Sequence, residues 1–191
     1  MKAENEIGWL TSYNNQLFKD RETLNISREN IFDSTNTIRD VILKTIYWGY
    51  TGGMRGNHFV NIMTNIQTLE MIFSDLKSNK NLTNYDFPSL AKKFGKVPGI
   101  GLSTYSKILY FLDLKFNSNP CLILDKRLID IFSRQIFVDY QALGTINEYN
   151  AERWYLEYLN ITNKLSYDLQ TKGENIEQFL FIFGNNLSKS N

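Results

Sequence analysis

The chain has 191 residues, enough for one domain or for two small lobes sharing one core. Apolar residues make up 42% and aromatics 14%, which excludes global disorder, and a net charge of +1 excludes a protein that coats itself in polyanion. A lone cysteine, Cys121, and a lone histidine, His58, exclude an intrachain disulfide and any cysteine cluster for zinc or iron–sulfur.

The opening "MKAENEIGWL" has no long apolar run of the kind a secretory signal needs, and no stretch approaches the roughly 18 apolar residues of a membrane span. The expectation is a soluble, cytoplasmic protein without a membrane partner. Ile7, Leu10, Leu17 and Phe18 form a first helical stripe. A second runs through Ile38, Val41, Ile42, Thr45 and Trp48, with Ser34, Thr35 or Asn36 as its cap. The loop "WGYTGGMRGNHF" at 48–59 follows, with Gly49, Gly52, Gly53 and Gly56 letting its backbone approach a ligand or turn freely. Phe59, Ile62, Met63, Ile66, Leu69, Phe73 and Leu76 predict one long third helix. "DFPSLAKKFGK" predicts a short helix, with Pro88 in its first turn and Gly95 just past its end. A glycine turn and a helix over 102–112 come next, and "NSNP" then breaks the chain. "CLIL" reads as one short extended piece; a helix over 126–136 and two aromatic-rich helices near 147–170 and 174–184 complete an all-α chain. Of the three phenylalanines near the end, Phe179 and Phe183 read as core, and Phe181, pointing away from them, as the one to meet a ligand or a second lobe.

The turn "VPGIG" carries the first functional signal. Gly99 and Gly101 permit positive φ or a close backbone approach. The N–H groups of Leu102, Ser103 and Thr104 open a helix without intrahelical partners, at the positive end of its dipole. With Ile100 and Lys96 they make a phosphate-gripping elbow that would fix position on a nucleic acid without reading sequence. Seven basic residues stand against three acidic ones between 90 and 130, a local excess on a nearly neutral chain. The plainer alternative is an ordinary tight turn beside a solvated helix face.

"VPGIG", "LSTYSKILYFL" and "NPCLILDKRLIDIF" together resemble the helix-hairpin-helix DNA glycosylase superfamily. "SKILYFL" with "LILDKR" is most similar to the bacterial proteins of 8-oxoguanine DNA glycosylase fold, and "WGYTGGMRGNHF" also resembles that group. The resemblance implies a single helical glycosylase-like domain over 1–191, with the helix-hairpin-helix at about 87–112 and two helical lobes flanking a DNA groove. It implies a monomer that flips a base from double-stranded DNA and cleaves the N-glycosidic bond, with or without AP-lyase activity. An oxidised base such as 8-oxoguanine is one substrate; a hypermodified base in phage DNA is the other, and would make the enzyme a defence protein; in either case the resemblance implies a bacterial, nucleoid-associated location. The resemblance also offers the carbonyls near Val97, Ile100 and Gly101 to a monovalent cation, with no other cofactor.

Asp125 opens a helix after Pro120 and "CLIL", where the superfamily carries its catalytic aspartate. An ionised carboxylate there stabilises the oxocarbenium-like charge that grows on the sugar. The alternative is a plain N-cap, bonded to the N–H groups of Lys126–Leu128. Two residues after the second glycine, where lyase members carry lysine, stands Ser103, as in the branch that uses water. Lys107 lies one helical turn on, on the same face, and fits either a nucleophile that forms a Schiff base or a phosphate contact with a snorkelling stem. Trp48, Tyr50, Arg55, Asn57 and His58 are the candidate base pocket. His58 has no histidine or cysteine companion and is not a metal ligand by this reading. The competing function is a helix-hairpin-helix module that binds DNA without catalysis.

Overall fold

The computed structural model describes residues 7–79 and 82–188. Apart from one two-stranded ribbon, the regular structure of these residues is helical. The helices are α1 (Gly8–Phe18), α2 (Arg28–Phe32), α3 (Ile38–Gly49), α4 (His58–Thr64), α5 (Ile66–Ser78), α6 (Phe87–Phe94) and α7 (Leu102–Phe111). The ribbon pairs β1 (Lys115–Phe116) with β2 (Asn119–Pro120), and α8 (Lys126–Ser133), α9 (Ala151–Asp168) and α10 (Gly173–Phe183) follow. Short 3₁₀ segments at Val138–Leu143 and Gly184–Asn186 precede α9 and follow α10.

The all-α expectation holds, with local departures that have physical causes. The predicted third helix divides at Asn65, whose side-chain amide donates to the Asn61 carbonyl at 2.8 Å and whose φ of −100° and ψ of 17° leave the helical region. Helix α3 is capped by Thr37 and not by Ser34, Thr35 or Asn36. Thr37 and Asp40 form a capping box, while Thr35 donates to Asp33, and the Asn36 amide closes the preceding turn on the carbonyls of Asn30 and Ile31. In the ribbon, Asn117 and Ser118 both take positive φ, 47° and 67°, the tight hairpin turn that "NSNP" disguised as a simple break.

The core is continuous from Ile7 to Leu180, and α7 runs through its middle: every residue from Thr104 to Phe111 is buried. Beside it lies "CLIL", Cys121–Leu124, extended and buried but paired with no strand over most of its length. Side chains satisfy its backbone. Tyr155 donates to the Leu122 carbonyl and Tyr158 to the Ile123 carbonyl, each at 3.0 Å, and the Leu124 N–H donates to Ser106 Oγ at 3.2 Å. This strut delivers Asp125 to the flank of α7.

Candidate active site

The turn between α6 and α7 is pinned by Val97 and Ile100, both buried, while Lys96 stays exposed. Its two glycines serve different needs. Gly99 has φ +89°, and a Cβ there would lie 2.8 Å from the His58 carbonyl oxygen and 2.9 Å from its Cα. The turn therefore packs backbone to backbone on the start of α4. Gly101 has an extended φ of −109°, and a Cβ there would meet nothing within 4 Å. Its neighbourhood is the open side, where a phosphate group has room. Of the three N–H groups expected to be free, Thr104 corrects the expectation: it donates to the Gly101 carbonyl at 2.9 Å, leaving those of Leu102 and Ser103 as the first two of the helix. The Gly101 carbonyl also accepts the Tyr105 N–H at 3.0 Å, and the Val97 carbonyl accepts the Ile100 N–H at 3.4 Å.

The glycine loop and the turn enclose a cavity of about 600 Å³, lined by Tyr50, Arg55, His58, Gly99, Gly101 and Thr104 among others. Tyr50 and Thr104 share a hydroxyl–hydroxyl hydrogen bond of 2.6 Å that ties loop to helix. Trp48 and Asn57 stand outside this cavity. Trp48 lines a separate cavity with Thr23, Asn25 and Ile26, and Tyr50 is the wall between the two. Asn57 is exposed and makes no side-chain cap on α4. The five residues read as one base pocket are thus divided, because Gly53 and Gly56, both at positive φ, turn the chain away between Trp48 and Asn57.

One turn into α7, Lys107 is 5% exposed. Its stem passes Gly49, where a Cβ would sit 3.2 Å from Lys107 Cδ. Its Nζ donates to the Ser103 carbonyl at 2.8 Å and to Ser103 Oγ at 3.1 Å, lies 3.6 Å from Asp125 Oδ2, and stands 5.7 Å from the centre of the Tyr50 ring. The lysine at 107 therefore brings its amine back to position 103, where the sequence itself carries serine. Asp125 is the N-cap of α8, with extended backbone, and its Oδ1 accepts the Leu128 N–H at 3.3 Å. Capping and pairing use different oxygens, so the N-cap role leaves Oδ2 to the Lys107 contact. Neither Lys107 nor Asp125 lines the 600 Å³ cavity; Ser103 and Tyr50 stand between them and it.

The family model described as "Putative 8-oxoguanine DNA glycosylase OGG-like protein" matches residues 2–181. The chain belongs to this OGG-like family. No curated protein and no solved structure matches it with significance. Membership makes DNA glycosylase the activity class of the OGG-like chain and DNA its partner. Among the described residues, no helix is long and apolar enough to cross a membrane.

The OGG-like chain also holds a buried pair that sequence reasoning missed. Glu177 on α10 is 1% exposed and receives Arg28 through two contacts, of 3.1 and 3.4 Å. Arg28 donates to the Tyr110 hydroxyl at 3.0 Å, and its guanidinium lies 5.3 Å from the Trp48 ring centre and 5.1 Å from that of Tyr110. Burial pushes the Glu177 carboxyl above the usual range; Arg28 pulls it back, the Asp125 charge adds to the rise, and Lys107 opposes it. Burial likewise pushes the Tyr110 hydroxyl up to about 12. The available signal was a glutamate inside the apolar stripe of Ile176 and Leu180. The phenylalanines are arranged differently from expectation: Phe179 and Phe183 are about half exposed, at 49% and 50%, and only Phe181 turns inward, beneath the Arg127 guanidinium at 4.7 Å. The helix begins at Gly173 and presents its 177 and 180 positions to the core, which leaves 179 and 183 on the far face.

Proposed function

We propose that the protein is a DNA glycosylase that draws a modified base of the 8-oxoguanine type out of the duplex and cleaves its N-glycosidic bond with Lys107 as nucleophile. The first N–H groups of the helix, those of Leu102 and Ser103, the open space at Gly101 and the exposed Lys96 hold the backbone of the damaged strand. Tyr50, Arg55 and His58 receive groups that enter the adjoining cavity. Lys107 acts as the neutral amine once its ammonium proton has passed to water; Nζ attacks C1′ as the bond to the base breaks, and the base leaves as an anion with the electron pair and takes up a proton from water. Asp125 stabilises the positive charge on the sugar and accepts the proton that the attacking amine releases. Ring opening then gives a Schiff base, from which elimination nicks the strand.

One observation carries this reading: the Lys107 amine is held by the Ser103 carbonyl and hydroxyl and stands 3.6 Å from Asp125. A lysine that only snorkelled would send its charge outward; this one is turned inward to a carboxylate. Borohydride trapping on an 8-oxoguanine duplex tests it. The expected result is a covalent adduct that persists in Ser103→Ala and is lost in Lys107→Ala. Base release with no adduct would replace Lys107 by water activated at Asp125, and binding without release from that duplex would contradict the proposed substrate.

A further inference from the structure

We infer that Lys126 is a further contact for the DNA backbone, held in reserve by Glu148, whose carboxylate pairs with that lysine until a phosphate displaces it. This rests on the reading of the turn at Gly101 as a phosphate grip.

The residues meet at the cavity beside the turn. Glu148 lines it together with Gly99, Gly101 and Ser103. Lys126 is not part of that lining and reaches it through Glu148: its Nζ lies 2.7 Å from Glu148 Oε1, and 3.1 Å from Asp130 Oδ1. Lys126 also directly follows Asp125, the carboxylate that meets Lys107. An anion held by Lys126 therefore lies between the grip and the reacting pair.

Two carboxylates on one ammonium exceed what pairing requires. Asp130 faces Lys126 one turn along α8, the ordinary partner on a helix surface. Glu148 comes from a separate turn ahead of α9, and that turn is fixed. Asn147 Oδ1 accepts the N–H groups of Tyr149 and Asn150 at 2.9 and 3.2 Å. Asn150 Oδ1 accepts the Asn147 N–H at 2.8 Å, and its amide donates to the Thr145 carbonyl at 3.0 Å. The fold thus brings an acid to the wall of a cavity that also exposes a phosphate-gripping turn. With Asp130 it leaves the cluster one negative charge in excess.

A carboxylate accepts from the same donors as a phosphate and carries the same sign. Paired as it is, Glu148 neutralises Lys126. The pair opens at small cost, because its side chains are 61% and 56% exposed and both charges rehydrate on parting. A phosphate gives Lys126 an equivalent contact and also releases counterions condensed on the DNA, so the exchange runs toward the complex. Lys126 keeps Asp130 throughout, and Glu148 turns to water.

Fluorescence anisotropy on an 8-oxoguanine duplex, from about 50 to 200 mM salt, tests this in the wild type, Lys126→Ala, Glu148→Gln, the double variant and Gly101→Ala. Lys126→Ala should weaken binding several-fold and lower the slope of log affinity against log salt by about 0.9. Glu148→Gln should tighten binding by up to about fivefold, the range of an exposed ion pair. The double variant should lose that gain and bind as Lys126→Ala does. An unchanged salt slope in Lys126→Ala, or no tightening in Glu148→Gln, would overturn the inference. So would an equal gain with and without Lys126, which would make Glu148 a plain repulsive charge. Weaker binding by Gly101→Ala keeps the phosphate grip standing in each of those cases. Undiminished binding by Gly101→Ala would overturn the grip itself, and the inference with it.

Discussion

Two cation–carboxylate pairs flank α7, and they are built to opposite specifications. Arg28 and Glu177 form a two-contact fork, with the carboxylate 1% exposed and the guanidinium wedged between two rings. Lys107 and Asp125 meet at a single 3.6 Å contact, and each partner has a second engagement of its own, the Ser103 oxygens and the Leu128 N–H. The first pair has little freedom without breaking. The second can exchange its partners at small cost, because a lysine ammonium is a rotatable point charge and Asp125 keeps its cap while its other oxygen is free to act. One pair is a fixed fork and the other a single longer contact, and the chemistry proposed above falls to the second.

The sharpest separation comes from Asp125→Asn. Asparagine caps a helix about as well as aspartate, so the only stability lost is that of the long Lys107 contact, while turnover on an 8-oxoguanine duplex falls at least about a hundredfold. Equal loss of turnover and melting temperature would make Asp125 a cap only. A large loss of stability is expected from Arg28→Ala at neutral pH. Leaving Glu177 buried without its partner should cost about 3 kcal/mol in a denaturant titration, the low end for a broken buried pair because Arg28 is itself 22% exposed.

The two glycines of the turn extend the comparison to the backbone. Gly99→Ala places a methyl group against the His58 backbone at positive φ, and should destabilise by about 2–3 kcal/mol in the same titration. Gly101→Ala meets no atom within 4 Å and should leave stability nearly unchanged while weakening DNA binding, read as a shifted midpoint in fluorescence anisotropy. If both lose only stability, the turn is a packing element and not a phosphate grip.

The smallest effect is a pH dependence of folding. Burial raises the folded-state value of Glu177 above its unfolded one, so the folded protein takes up this proton first as pH falls. The associated stability is present below the unfolded value and is lost as pH rises through the folded one. Glu177→Gln should flatten that dependence on the acid side of neutrality; an unchanged slope would assign it to other carboxylates.

The helices, the turn and the placement of Asp125 were legible because each follows from local spacing: Pro88 and Gly95 at the ends of a helix, two glycines in a turn, and an aspartate opening a helix after an apolar strut. Asn65 escaped because a side-chain amide competing for a carbonyl leaves no mark on hydrophobic periodicity. The candidate base-pocket residues are parted for a related reason: Tyr50, Arg55 and His58 line one cavity, and Trp48 and Asn57 lie outside it. Nearness in sequence from Trp48 to His58 was taken as nearness in space, and two positive-φ glycines undo it. Arg28 and Glu177 are separated by 149 positions, and only the packing of α2 and α10 against α7 brings their charges together. The inward aim of Lys107 was equally invisible, since it depends on Gly49 leaving room on another helix.

The central claim is that one particular amine performs the attack, and peptide mapping of the borohydride-trapped complex by mass spectrometry tests it most directly. The account predicts the reduced sugar adduct on Lys107, within the peptide that spans α7. An adduct on Lys96, on Lys126 or on the chain's amino terminus would contradict it.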